Sequence, residues 1–246
     1  MISAETEARL LRLRDNEANY LPLPEEAAKI AGKTLVCFTG ATGMGKNSIM
    51  SGLVELHPHI YGEFNTIVTR EPRDSDNKAH YTYYEHTDEG LAPLLARIEA
   101  GRILQYVVLQ GSLSIRATEA SSYPNEVNLG DIVPQAFPAF DRLGFGRIAK
   151  LSIVTEPSAW KKHLDERFPA DHPDRAVRIH ETITNLEWSI SQTTGSDHGW
   201  IINHDGKLAE AIQAADRAIT RNEFVDQDRA QALGVACLQV AKELAA

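Results

Sequence analysis

Short apolar runs alternate along this chain with longer stretches in which apolar residues recur every three or four positions. Thr34–Thr39 (TLVCFT) is the first such run, rich in strand formers and ended by Gly40. Ile103–Leu109, Val127–Ile132, Ile148–Val154 and Trp200–Ile202 repeat the theme. Helical periodicity marks 90–100, 112–121, 135–143, 157–168, 173–192 and 206–221. Lys46–Leu56 also reads as a helix, stopped by His57-Pro58. Strands alternating with helices predict βαβ units and a mainly parallel sheet, an α/β fold.

Three stretches fall outside that alternation. Residues 4–15 have helical periodicity and are broken by Leu21-Pro22-Leu23-Pro24, with a short helix expected over 25–30. Residues 1–33 therefore read as a helical extension in front of a domain spanning 34–221, and 222–246 as one more amphipathic helix. The stretch 64–86 carries two strand-like pieces around a charged loop, which predicts a small antiparallel insertion.

Composition narrows the class of protein. The length of 246 residues suits one α/β domain with extensions or a lid. A net charge of −9 argues against a nucleic-acid partner, while leaving room for a local basic pocket. Two distant cysteines, Cys37 and Cys237, make neither a disulfide framework nor a Cys-rich zinc site. The N-terminus has no basic patch followed by an apolar stretch, and no apolar run has the length of a membrane span. The expectation is a cytoplasmic protein with no membrane partner, monomeric or homodimeric.

The chemistry concentrates at Gly40-Ala41-Thr42-Gly43-Met44-Gly45-Lys46-Asn47-Ser48, between a predicted strand and a predicted helix. This fits G-x-x-x-x-G-K, the P-loop pattern. Its glycines let backbone N–H groups turn inward around a phosphate, and the helix start behind them adds partial positive charge. Lys46 would supply a mobile cation to the β- and γ-phosphates of ATP. One position departs from the pattern. The residue after the lysine ordinarily offers a hydroxyl to Mg²⁺, and here it is Asn47, followed by Ser48. An amide oxygen can ligate Mg²⁺. The alternatives are Ser48 with a shifted helix start, Mg²⁺ held by phosphates and water alone, or impaired catalysis.

A second signal follows. Thr66-Ile67-Val68-Thr69-Arg70-Glu71-Pro72-Arg73 precedes Tyr81-Thr82-Tyr83, at a spacing from the loop that resembles guanylate kinases, with their T-T-R-x-P-R … Y-x-F signature. The resemblance runs more weakly through most of 34–221: Gly130–Ala136 is similar to the strand ending L-D-I-D-x-Q-G, and Trp200–Asn203 to the late strand ending V-x-N. It implies a P-loop kinase fold: a parallel β-sheet core flanked by helices, a small antiparallel acceptor-binding insertion near 64–118, and a helical lid near 157–192. It also implies transfer of a phosphoryl group from ATP, with Mg²⁺, to a nucleoside monophosphate. Thr66, Arg70, Arg73 and Tyr81 would then hold the acceptor phosphate, where two guanidinium forks suit a phosphate monoester. Lys46, with Arg167 and Arg178 from the lid, would neutralise charge in the transition state. Asp131 would orient Mg²⁺ through water alongside Asn47, and Asn203 would read the adenine edge.

Each residue also has a plainer reading. Arg70 and Arg73 fit a solvated charged loop, Tyr81 ordinary strand packing, Arg167 and Arg178 surface salt bridges, Asp131 a turn cap, and Asn203 a helix start.

The base-reading region departs most from the family. Gln105 stands where guanylate kinases place a Glu, Ser114 replaces a tyrosine, and Val133 replaces an Asp. A Gln offers both a donor and an acceptor where a carboxylate only accepts. Arg116 is a new cation there and a substitute contact for the acceptor phosphate. These changes predict altered base preference or weak guanylate kinase activity. Two rival functions stay open. One is a guanylate-kinase-like module binding phosphate groups or phosphopeptides, although such modules typically lose the loop that this chain keeps. The other is a P-loop kinase for another phosphorylated small molecule.

Overall fold

The computed structural model describes residues 2–72, 80–195 and 197–245. In chain order its elements are α1 (Ala4–Asn16), α2 (Pro24–Ala28), β1 (Thr34–Thr39), α3 (Lys46–Leu56), β2 (Tyr61–Glu63), β3 (Thr66–Val68) and β4 (Tyr81–Tyr83). There follow α4 (Asp88–Glu99), β5 (Gln105–Val108), β6 (Ile115–Thr118), β7 (Val127–Asp131), α5 (Phe137–Asp141) and β8 (Arg147–Val154). The chain continues through α6 (Pro157–Arg167), α7 (Arg175–Ser191), β9 (His198–Ile202), α8 (Leu208–Arg221) and α9 (Gln227–Ala245). The strands form a five-stranded sheet in the order β2-β7-β1-β8-β9 and a four-stranded sheet in the order β4-β3-β6-β5. Strands β1, β8 and β9 run parallel, as expected for βαβ units.

The chain divides into two compact units. The larger comprises Thr34–Tyr61, Leu129–Phe137 and Arg147–Ala246. Its strand β1 is apolar on both faces, with Leu35, Val36, Cys37 and Phe38 fully buried, so it reads as a continuous run rather than an alternation. Helix α9 packs on α6, α7 and β9. It approaches closely enough that a Cβ at Gly234 would lie 2.7 Å from the Trp200 ring. At its start, the Gln227 amide accepts from Trp200 N–H at 2.8 Å and donates to Trp200 C=O at 2.9 Å. A side chain thus supplies what a neighbouring strand would give to the sheet edge at β9.

The smaller unit comprises Met1–Lys33, Gly62–Asn128 and Pro138–Gly146. The four-stranded sheet packs one face on α4 and α1, around Leu10, Ile67, Leu91, Leu94, Ile98 and Tyr106. Helix α1 is built into that core. Its last turn and the segment after it are tied down by Tyr106 Oη to Leu13 C=O (2.9 Å) and by Val108 N–H to Glu17 Oε1 (2.5 Å).

Two expectations need correction here. The stretch 112–121, rich in helix formers, contains strand β6 and a single 3₁₀ turn at Ala120–Ser122. Its backbone is claimed on both sides, by β3 and by β5, and the alternation of Ile115 and Ala117 inward with Arg116 outward fits the sheet. The inserted sheet is also mixed rather than antiparallel: β3 and β4 pair parallel, while β6 runs antiparallel to β3 and β5. Among the described residues, no helix is long and apolar enough to cross a membrane.

A buried polar relay crosses the larger unit. Ser189 donates to Asn185 C=O at 2.9 Å, and Ser152 donates to Ser189 Oγ at 2.8 Å. With its one proton so used, Ser152 accepts from His198 Nε2–H at 2.9 Å. His198 Nδ1 is then bare, with no partner among the described residues. Desolvation, with Lys150 adding like-charge repulsion, lowers the His198 pKa from 6.5 to about 4. Between those values the unfolded chain takes up a proton that the folded chain refuses. The contribution of His198 to stability is therefore present above pH 6.5 and is lost as pH falls towards 4. His198→Gln should remove up to about 3 kcal/mol of acid sensitivity over that window, measured by urea unfolding at several pH values. An unchanged pH profile in the variant would contradict it.

Candidate phosphate-binding loop and acceptor face

The loop after β1 lies in the larger unit. Gly40, Gly43 and Gly45 have φ of +134°, +89° and +88°, which L side chains rarely adopt. Met44 N–H closes a turn onto Ala41 C=O at 3.3 Å, and the φ of Gly43 is that of the third position of a type II turn.

The loop carbonyls have partners one after another. Lys46 Nζ donates to Gly40 C=O at 2.8 Å and to Ala41 C=O at 3.1 Å. Asn185 Nδ2 also reaches Gly40 C=O, at 3.3 Å. Trp160 Nε1 donates to Thr42 C=O at 3.1 Å, His163 Nδ1 to Gly43 C=O at 3.0 Å, and Asn203 Nδ2 to Met44 C=O at 3.0 Å. Every carbonyl from Gly40 to Met44 is thus satisfied by a side chain. In a planar trans peptide the N–H points opposite to the C=O, so the following amides aim the other way. At the start of α3 the first-turn N–H groups have no intrahelical acceptor. Apart from Met44 N–H, which closes the turn, these amides form a candidate anion nest.

Two charges stand by the loop. Lys46 is buried, and its Nζ lies 3.6 Å from Asp131 Oδ2 at the end of β7. Asp131 is about half-exposed, while Asn47 and Ser48 are exposed on the first turn of α3. The structure brings Lys46, Asp131 and Asn203 to the loop. One of the two Asn203 Nδ2–H donors goes to the loop backbone.

Arg167 and Arg178, eleven residues apart, converge on one ring: their guanidinium carbons lie 5.5 and 5.6 Å from the Phe168 centroid. Arg178 also pairs with Glu181 at 2.8 Å. In the same unit a cavity of about 610 Å³ is lined by Glu156, Ser158, Lys162, His204, Lys207 and Arg229, among others. His204 and Lys162 are sequence neighbours of the loop partners Asn203 and His163.

The predicted acceptor residues lie in the smaller unit. Ile67, Tyr106, Val108, Ile115 and Ala117 point into its apolar core. By alternation and register, Thr66, Tyr81, Gln105 and Arg116 share the opposite face of the four-stranded sheet. Arg70 follows β3, and its guanidinium carbon lies 5.4 Å from the Tyr81 ring centroid while Nη1 donates to Glu71 C=O. Ser114 is buried, its hydroxyl 2.8 Å from that of Ser112. Gln105 also lines a narrow crevice with Tyr20, Leu21 and Arg142. Arg73 lies outside the described residues.

Sequence reasoning missed Trp160, His163 and Asn185. The only signal available was that Trp160 and His163, three apart, share one face of α6.

A glycine-rich strand-to-helix loop with its lysine, set on a parallel sheet flanked by helices, defines a P-loop α/β protein. No protein-family model matches the chain. It is 30% identical over 149 residues to MAGUK p55 subfamily member 2 of Rattus norvegicus, covering 55% of this chain and 25% of that protein. It is 23% identical over 181 residues to Guanylate kinase 1 of Arabidopsis thaliana, covering 72% of this chain and 45% of that protein. The match thus spans less than half the length of either relative. Among solved structures it is similar to guanylate kinase from Anaplasma phagocytophilum, at 14% identity and a TM-score of 0.49 over 87% of this chain and 97% of that one. The chain is therefore similar in sequence, at weak identity, to a guanylate kinase, in line with the resemblance carried by its two motifs.

A Cβ at Gly45 would lie 2.2 Å from Asn203 Nδ2. Gly45→Ala should break the Asn203–Met44 bond and impose a left-handed alanine. The expected loss is about 1–2 kcal/mol of stability, read by thermal unfolding. A midpoint equal to that of the unaltered chain would show that the glycine is not required.

Proposed function

We propose that this chain is an ATP-dependent kinase that phosphorylates a nucleoside monophosphate, with a GMP-like acceptor. The observation that carries this reading is the loop: five consecutive carbonyls turned onto side-chain donors, a lysine at its end and Asp131 beside it. Phosphoryl transfer asks a protein mainly for positioning and charge neutralisation. In this reading the loop amides and Lys46 bind the donor phosphates. Arg167 at the end of α6 and Arg178 on the first turn of α7 supply the further positive charge for the transition state. The cavity lined by His204 and Arg229 takes the donor nucleoside.

Thr66, Arg70, Arg73, Tyr81, Ser114 and Arg116 bind the acceptor phosphate, and Gln105 faces the acceptor base. The shared sheet face of Thr66, Tyr81, Gln105 and Arg116 supports this grouping. The division 34–221 with an insertion near 64–118 and a lid near 157–192 is part of the same proposal.

Mg²⁺ fits as a companion of ATP. Among the described residues no group of three or more His, Cys, Asp or Glu side chains converges on a metal position. The exposed amide of Asn47 and the carboxylate of Asp131 are hard oxygen donors of the kind that Mg²⁺ takes one or two at a time, beside phosphate oxygens. The ion would neutralise phosphate charge during transfer. A cytoplasmic setting accords with Cys37 and Cys237 being buried thiols rather than a disulfide.

A second reading, a phosphate-binding module with little catalysis, is favoured by Asn47 at the usual hydroxyl position and by Gln105. A coupled ADP-release assay against GMP, dGMP, AMP, UMP and CMP separates them. Turnover with one monophosphate at about 1–100 s⁻¹, the range of kinases, is the expected result. No turnover with any of them would remove the kinase reading, and a fast, clean GMP preference would remove the idea that Gln105 alters base choice.

A further inference from the structure

The partners of the central loop peptides come from one helix. Trp160 and His163 lie on one face of α6 and reach Thr42 C=O and Gly43 C=O at 3.1 and 3.0 Å. A carbonyl only accepts, so His163 carries its proton on Nδ1, and its Nε2 lies 3.9 Å from Asp205 Oδ1. The two bonded carbonyls belong to the peptides Thr42–Gly43 and Gly43–Met44. The first is the central peptide of the turn closed by Met44 N–H on Ala41 C=O.

That central peptide is what distinguishes a type I turn from a type II turn, since turning it over changes the sign of φ at the third residue. Gly43, at +89°, tolerates either sign at little cost. The turn alone therefore does not fix where the Gly43 N–H points. The Trp160 indole does so from outside, by holding the Thr42 carbonyl. His163 holds the next peptide from its carbonyl side, reinforcing the turn that Met44 N–H closes on Ala41 C=O, and its own Cβ lies 3.3 Å from where a Cβ of residue 43 would stand.

We propose that Trp160 and His163 are positioning residues for the donor phosphates: Trp160 locks the Thr42–Gly43 peptide with its N–H turned towards the phosphate, and His163 locks the next peptide, whose Met44 N–H keeps the turn closed. This rests on the reading of the loop as the ATP site. It assigns the Trp160–His163 turn of α6 to the donor platform, so that within the proposed lid near 157–192 this turn stays with the loop. It also gives a reason for the Trp-x-x-His spacing that core packing does not, because His163 is only half-buried.

The test is calorimetry of ATP with Mg²⁺ on the full chain and three variants, with the unfolding midpoint of each measured without ligand. His163→Ala removes the donor, and His163→Asn keeps an N–H near the position of Nδ1. Trp160→Phe keeps a large ring but loses the indole N–H. Kd for ATP should rise about five- to tenfold in His163→Ala and in Trp160→Phe, as for the loss of one hydrogen bond. His163→Asn should bind within about twofold of the unaltered chain. Gly43 is only part-buried, so water can take the place of the lost donor, and the His163→Ala midpoint should stay near that of the unaltered chain while its Kd rises, which a merely structural role would not produce. Unchanged Kd in both donor-less variants, or a His163→Asn variant no better than His163→Ala, would overturn the proposal. Absence of ATP binding by the unaltered chain would overturn the ATP site itself, and the inference with it.

Discussion

One constraint governs the structure: a loop that offers its amides to an anion must give its carbonyls to something else. Here each carbonyl from Gly40 to Met44 finds a side-chain donor, supplied by Lys46, Asn185, Trp160, His163 and Asn203. A buried carbonyl without a partner would cost as much as a phosphate contact gains, so the nest and its outer ring of donors are one device. The glycines make the backbone path possible, and the donors choose one path among those the glycines permit.

The larger unit is arranged around that requirement. Strand β1 delivers the loop from the buried sheet, β7 brings Asp131, and the end of β9 brings Asn203. Helices α6 and α7 bring the remaining donors. Helix α9 packs against both and against β9, where Gln227 completes the strand edge. In the smaller unit a period of two does the corresponding work. It sends apolar residues into a core shared with α1 and α4, and it gathers Thr66, Tyr81, Gln105 and Arg116 on the other face.

Much of this was legible in the sequence, because the signals were local. The run TLVCFT and the helix after the loop have the bounds that the pattern predicts, Thr34–Thr39 and Lys46–Leu56. The loop motif is contiguous, so its glycines and Lys46 could be read directly. The misses share a cause in long-range pairing. Residues 112–121 contain helix formers, yet hydrogen bonds from two neighbouring strands decide their state. Trp160 and His163 lie 118 and 120 residues from their carbonyl partners, and nothing in an amphipathic helix announces such a contact. The parallel pairing of β3 with β4 depends on a connection that local pattern does not describe.

In the proposed function the loop's N–H groups receive phosphate. Two-dimensional ¹⁵N–¹H NMR of the labelled chain during titration with ATP and Mg²⁺ tests it directly. The account predicts saturable shifts at the amides of Gly43, Gly45 and Lys46, larger than those elsewhere in the chain. Amides of the loop that stay in place while ATP is added to saturating concentration would contradict it.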